Sequence, residues 1–455
     1  MLLNEKLPHA HPDQRTVYLA QIDLNVKVKQ RIDSTVVLAL IAVMPVMMLT
    51  NIGHQSAAFY ALALVCLSIC FTRPGGIFQT FTDLAPYRWL ALALSMMAVE
   101  AAIGMLYSNQ ILGAEFERAV RVGLGLFVVL GACLTLIPQW LRQSIWGLAA
   151  AVWSATGYAV WLSWPTFRRP EDVPEYNAVS YGNLLLMMTM LCACSLGWRL
   201  TRLRKTEMAF KVLTVIVGMV GFIATQTRSG WLAIPFFIVV GLLLAGLRLF
   251  SGKTLVAGLI ALAVAVAIFT SSPIMRHRAQ EGMDEFNECV ANPVAVSSVC
   301  VRIQLWRASW LMFTRNPAVG NGSTGVFPVE IDKLVKAGVL STFLVTEMDG
   351  FNEPHNDILF TMASHGLTGL IALLLLYLAP AWIFARRLLR RMPQQTRIAA
   401  GMGLAVCLGF MAFGLTELMF RRMSTMAFYA VMIGWLLALS DPRCQTDTEC
   451  QVKRS

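Results

Sequence analysis

Apolar runs long enough to cross a bilayer recur along this chain from residue 34 to residue 440, parted by short polar turns and by one far longer polar interval, residues 271–354. About twenty residues at roughly 1.5 Å each, wound as a helix, cover the hydrocarbon core of about 30 Å. Such runs number about twelve, near 34–51, 56–71, 88–107, 119–137, 145–163, 180–198, 208–226, 230–247, 254–270, 355–379, 398–416 and 423–440. The expected fold is therefore all-α, a polytopic membrane protein with about 12 transmembrane helices.

Composition excludes the soluble alternatives. With 57% apolar and 14% charged residues and a mean hydropathy of +0.62, a water-soluble chain of 455 residues could not hide its apolar surface. The net charge of +11 suggests nucleic acid at first sight, but the basic residues sit between the spans, where they act as topology determinants and contacts for membrane lipids. No nucleic-acid partner is expected.

Charge asymmetry orients the spans. Lys6, Arg15, Lys27, Lys29 and Arg31, the Arg199, Arg202, Arg204 and Lys205 loop, and Arg386, Arg387, Arg390, Arg391 and Arg397 all fall on one face under this count. The positive-inside bias makes that face cytoplasmic. The expected organisation is a cytoplasmic segment 1–33, spans one to nine over 34–270, a large external loop 271–354, spans ten to twelve over 355–440 and a cytoplasmic tail 441–455. The first 33 residues are too polar for a cleaved signal. In a bacterial cell the loop is then periplasmic or extracellular.

The cysteines agree with that orientation. Cys289 and Cys300 lie in the external loop, where an oxidising compartment lets them form a disulfide. Cys192 and Cys194 fall within an apolar span and read as core packing, while Cys444 and Cys450 belong to the tail. No Cys/His set has zinc spacing, so no metal site is expected.

Arginines that defy the charge bias are the next signal: Arg118, Arg121, Arg168, Arg169, Arg228, Arg276, Arg278, Arg302, Arg307, Arg315, Arg421 and Arg422 all face outward. Planar guanidinium forks suit phosphate and diphosphate. The same residues also suit snorkelling towards lipid headgroups. Arg228, in Thr225-Gln226-Thr227-Arg228-Ser229-Gly230-Trp231, stands where one span ends and the next begins at once. A full charge in so tight a turn calls for an anion or a carboxylate. Arg302 heads a segment, 301–313, whose apolar spacing suits a helix lying in the membrane surface, on which it is either a ligand or a plain basic residue. Residues 315–325, with Pro317, Gly320, Gly322 and Gly325, form a tight turn that is either a connector or a place where backbone amides approach a phosphate.

His355 follows Pro354, a residue suited to a first helical turn, which puts the imidazole near water while its span anchors it. That position fits proton transfer, the alternative being a capping role, and Asn356 and Asp357 are close enough to orient the ring. His365 lies ten residues further into the same span and reads as a packed or hydrogen-bonded core group. Glu417, at the outer end of span eleven, either pairs with an arginine or faces solvent.

Taken in order, Thr227-Arg228-Ser229-Gly230 at an outer helix junction, Arg302 with the downstream Asn316-Pro317-Ala318-Val319-Gly320-Asn321-Gly322, and Pro354-His355-Asn356 opening a helix resemble the O-antigen ligase and polymerase superfamily over about residues 210–420. Within it the chain looks more like the ligases of lipopolysaccharide assembly. The resemblance implies a membrane-embedded, GT-C-like glycosyltransferase of the bacterial inner membrane, with its active site facing the periplasm. Such an enzyme needs no metal or cofactor and moves a polysaccharide from an undecaprenyl diphosphate carrier to a sugar of the lipid A core. It maps the family's essential groups onto His355, Arg228 and Arg302, and Glu417 stands where some members have an acidic residue; Arg121, Arg168, Arg169, Arg307, Asn356 and Glu417 are the substrate-binding candidates. A polymerase with the same donor and a second lipid-linked glycan as acceptor, a transporter of lipid-linked anions and a non-enzymatic scaffold are the other readings. The transporter lacks the repeated halves such folds tend to show, and a scaffold leaves His355 and Arg228 unexplained.

Overall fold

The computed structural model describes residues 12–50, 55–109, 113–164, 178–246, 252–271, 273–292, 295, 297–342, 344 and 353–443. Among these every regular element is helical. In chain order the α-helices are α1 (Pro12–Leu49), α2 (Gln55–Thr72), α3 (Gly76–Leu84), α4 (Arg88–Ser108), α5 (Gly113–Gly123), α6 (Val129–Cys133), α7 (Pro138–Leu141), α8 (Ile145–Ser163) and α9 (Ala178–Cys194). They continue as α10 (Arg204–Ala224), α11 (Ile234–Leu244), α12 (Gly252–Ser271), α13 (Pro273–Ala291), α14 (Ser298–Arg315), α15 (Phe327–Lys336), α16 (Asp357–Leu389), α17 (Gln394–Phe413) and α18 (Met423–Leu439).

Seven helical stretches among the described residues are long and apolar enough to cross a membrane, where the sequence suggests about twelve. Three more, Ser56–Thr72, Ser229–Leu244 and Met423–Leu439, are apolar but shorter. The run at 119–137 is not among them: its helix passes from α5 through a π-helical stretch, Leu124–Val128, into α6, stops at Cys133 and carries Glu117, Arg118 and Arg121 near its start. The run at 254–270 coincides with α12, many of whose side chains lie outside the described set.

The centre is built from helices apolar all round. Every residue of α18 from Thr425 to Leu439 is buried, and α9 and α17 are nearly as enclosed. A helix with no polar face belongs inside a bundle. Small residues bring these helices together: a Cβ at Gly403 of α17 would lie 2.3 Å from the Phe384 ring of α16, which is the close approach that packing without a hydrophobic drive requires. The outer helices expose Phe78, Trp89, Leu92 and Leu106, side chains suited to lipid.

One helix sets the position of the site. α16 begins just after the 271–354 interval and ends at the arginine-rich face, where Arg387 donates to Leu437 O (2.8 Å) and Ser440 Oγ (2.7 Å). Near its first third it breaks at Gly366 (φ 61°, ψ −147°). The turn after α14 fills that break with its own backbone: Leu367 N donates to Pro317 O (2.8 Å), Thr368 N to Ala318 O (3.3 Å), and Asn321 N to Ala363 O (2.9 Å). Broken helices survive at membrane depth only when protein bonds the freed groups in this way. Residues 316–322 are thus a docking piece that pins the segment between α14 and α15 to α16.

Candidate active site

The N-terminus of α16 and the turn between α17 and α18 hold each other. Asp357 N donates to Gly414 O (2.7 Å), and the Asp357 carboxylate accepts from Tyr377 Oη (3.0 Å), Met419 N (3.2 Å) and Phe420 N (3.4 Å). Asn356 caps α16 by accepting from Leu359 N (2.9 Å) and donates to Leu415 O (2.9 Å). Asn356, expected to meet substrate or orient the imidazole, is therefore spent on backbone. The clamp it makes with Asp357 instead brings Glu417 to His355.

His355 Nδ1 lies 3.0 Å from Glu417 Oε1, with side-chain exposures of 14% and 5%. Glu417 accordingly does not face solvent, and its charge also acts on Arg302. A carboxylate at that distance accepts the Nδ1 proton, which places the imidazole lone pair on Nε2. His355 adopts φ 48°, a left-handed conformation uncommon outside glycine, asparagine, aspartate and histidine. Its neighbours over-determine that geometry, since Trp306 Nε1 of α14 donates to Pro354 O (2.8 Å) on one side and Asp357 binds the 414–420 turn on the other.

The two expected arginines share this neighbourhood. Arg302 is half-buried on α14. Burial holds its guanidinium below the ordinary arginine range, Glu417 and Glu285 act against that depression, and Arg228 adds to it. The charges of Arg228, Glu417 and Glu285 therefore all act on Arg302, although they come from the α10–α11 junction, the α17–α18 turn and α13.

Arg228 owes its place to its junction. Thr227 Oγ1 donates to Ala178 O (3.0 Å) and Ser229 Oγ to Asn183 Oδ1 (3.2 Å), fixing the turn against α9. α13 then crosses over the guanidinium at Gly282, where a Cβ would stand 2.4 Å from Arg228 Nη1. The loop is braced further by the Cys289–Cys300 disulfide, whose Cα atoms are 5.2 Å apart, and by Val299 N donating to Glu285 Oε2 (3.1 Å).

The other arginines divide. Arg121, expected to bind substrate, is 4% exposed. It pairs with Glu117 (2.6 Å), donates to Ser56 Oγ (3.1 Å) and Met423 O (3.2 Å), and lies over the Phe59 and Tyr60 rings. It ties helices together instead. Arg307 is exposed on α14, while Arg168 and Arg169 lie outside the described residues. Arg421 pairs with Glu353 and covers the Phe360 ring.

A second polar cluster lies across α16. His365 Nε2 is 3.5 Å from Glu100 Oε1 of α4, and Glu115 of α5 accepts from Thr324 Oγ1 (2.6 Å) and Thr324 N (3.2 Å). The core reading of His365 is thus given a partner, and that partner was legible: a lone carboxylate inside the run 96–102 marks a buried contact. Among the described residues, no group of three or more His, Cys, Asp and Glu side chains is arranged to hold a metal ion.

This is a multi-pass helical membrane protein with an imidazole, a carboxylate and two guanidinium groups gathered at the mouth of a span. Residues 213–374 match the model of the family described as O-antigen ligase, whose members are glycosyltransferase-like enzymes of glycan synthesis, and this match supports membership of the O-antigen ligase/polymerase superfamily. The matched segment runs from α10 to the middle of α16, so it contains Arg228, Arg302, the docked turn and His355 and stops short of Glu417. An uncharacterized protein of Haemophilus influenzae is 24% identical over 222 residues, which are 48% of this chain and 54% of the relative. The match thus spans about half the length of that relative.

Proposed function

We propose that the protein is an O-antigen ligase that transfers a polysaccharide from undecaprenyl diphosphate to a sugar of the lipid A core, on the periplasmic face of the bacterial inner membrane. The observation that carries this reading is the 3.0 Å contact of His355 with Glu417 beside Arg302 and Arg228. His355 Nε2 takes the proton of the acceptor hydroxyl as that oxygen bonds to the anomeric carbon. The anomeric carbon–oxygen bond to the diphosphate breaks, and its electron pair leaves on the diphosphate. Arg302 and Arg228 meet the charge that develops there. Glu417 keeps the proton on Nδ1 and stabilises the imidazolium that forms. Attack and departure on opposite faces invert the anomeric centre.

No metal ion has a place in this scheme, because the two guanidinium groups supply the positive charge that a diphosphate needs. The test is a reconstituted reaction of the purified protein with a lipid diphosphate glycan, in excess EDTA, offered lipid A-core in one arm and only more donor in the other. Product on lipid A-core alone is expected. Chain extension on the donor would make the protein a polymerase, and strict dependence on added Mg²⁺ or Mn²⁺ would overturn the arginine clamp.

A further inference from the structure

At the end of the bundle opposite His355, three segments enclose a cavity of about 490 Å³. Its walls are Gln139, Trp140, Arg142 and Gln143 before α8, Arg199 after α9, and Gln395 at the start of α17. A second recess, of about 180 Å³, shares Arg199 and adds Arg204, Glu207 and Lys211. The larger cavity thus presents two guanidinium groups and three amides, and among the described residues its lining contains no carboxylate.

The frame around the cavity is held by other residues. Glu207 accepts from Leu200 N (3.0 Å) and Thr201 N (2.7 Å) and pairs with Lys211 (2.7 Å), which closes the 198–203 loop on itself. Gln143 Nε2 donates to Leu200 O (3.0 Å), and Trp198 Nε1 to Gln395 O (3.2 Å). Arg142 Nη1 donates to Gln395 Oε1, which aims that guanidinium along the wall. Glu207 is held by backbone and Lys211 and is not among the described lining residues of the larger cavity, where Arg142 and Arg199 stand.

The cavity also sits where lipid headgroups are. It lies at the ends of spanning helices, on the face that the charge bias assigns to the cytoplasm, and Trp140 is 39% exposed at its rim. From this placement we infer that the cavity binds the headgroup of an anionic phospholipid. Its phosphate meets Arg142 and Arg199, its polar glycerol groups meet the glutamines, and its acyl chains leave along Trp140. Basic pockets between helices on this face take such lipids, with each arginine contributing separately. The inference is independent of the transfer reaction.

Native mass spectrometry of the purified full chain, titrated with phosphatidylglycerol or phosphatidylcholine, tests it. Phosphatidylglycerol should be retained in preference. Arg142→Gln and Arg199→Gln should each weaken that retention about fivefold, and the pair about 25-fold. Arg199→Gln alone keeps the test available if the double variant does not fold, since Arg199 is exposed. Equal retention of both lipids, or undiminished retention by Arg199→Gln, would overturn the proposal. So would displacement of the lipid by millimolar inorganic phosphate, which would identify the ligand as a soluble anion.

Discussion

His355 and Glu417 are 62 positions apart and meet at 3.0 Å, across the gap between the start of one membrane helix and the turn joining two others. The contact makes Glu417 a positioning group for the imidazole. Glu417→Gln keeps an oxygen that accepts from Nδ1–H, and Glu417→Ala does not. The alanine variant should therefore lose about 10–100-fold in kcat, the size of loss that removing the outer hydrogen-bond partner of a metal-bound histidine gives. The glutamine variant should lose less, and KM for the donor should stay constant in both. Equal losses in the two variants would show that the hydrogen bond does not set the ring.

Arg302 and Arg228 are assigned to the diphosphate by shape as well as by charge. Lysine keeps the charge and loses the planar fork, so Arg302→Lys and Arg228→Lys should each slow transfer by about 10–100-fold, the worth of a charged hydrogen bond or two. Steady-state assays of the two purified variants decide this, and wild-type rates in both would reduce the clamp to a general field of positive charge.

Gly282 is tied to function only through Arg228. Because a Cβ there would meet the far end of a flexible side chain and no backbone, Gly282→Ala should fold with an unchanged melting temperature while moving the guanidinium. Weaker donor binding, read as a raised KM, is the expected result. A fully active alanine variant would mean that Arg228 reaches the diphosphate from another position.

The docking of residues 316–322 on the break in α16 predicts a stability defect separate from chemistry. A Cβ at Gly320 (φ +62°) would lie 2.6 Å from Ala363 O, and one at Gly366 (φ +61°) 2.6 Å from the Ala318 backbone. Backbone cannot give way as a side chain can, so each alanine substitution should destabilise by about 1–3 kcal/mol or more. Thermal unfolding in detergent would register this as a lowered Tm, and an unchanged Tm for both variants would contradict the docking.

The seven apolar runs that form membrane-length helices among the described residues were legible because the bilayer imposes their length, and the expected interval at 355–379 begins two residues from the observed start of α16. His355 was legible because Pro354 announces a helix start. Its partner was not, since nothing local says that Asp357 grips the 414–420 turn and turns Glu417 inward. Arg121 misled for a related reason. Glu117, four residues earlier on the same helix, was visible, but the Phe59 and Tyr60 rings and Ser56 that complete its burial arrive only by packing. The glycines at 320 and 322 announced a turn, while the use of that turn depended on Gly366, more than forty residues downstream.

His355→Asn tests the central claim most directly. Asparagine accepts the left-handed backbone that His355 occupies (φ 48°) and keeps a polar side chain, yet it offers no base. With donor binding and Tm retained, transfer to the acceptor sugar should fall by on the order of 10²–10⁴-fold. Transfer within a few-fold of wild type by the purified, folded variant would contradict the assignment of His355 as the group that takes the acceptor's proton.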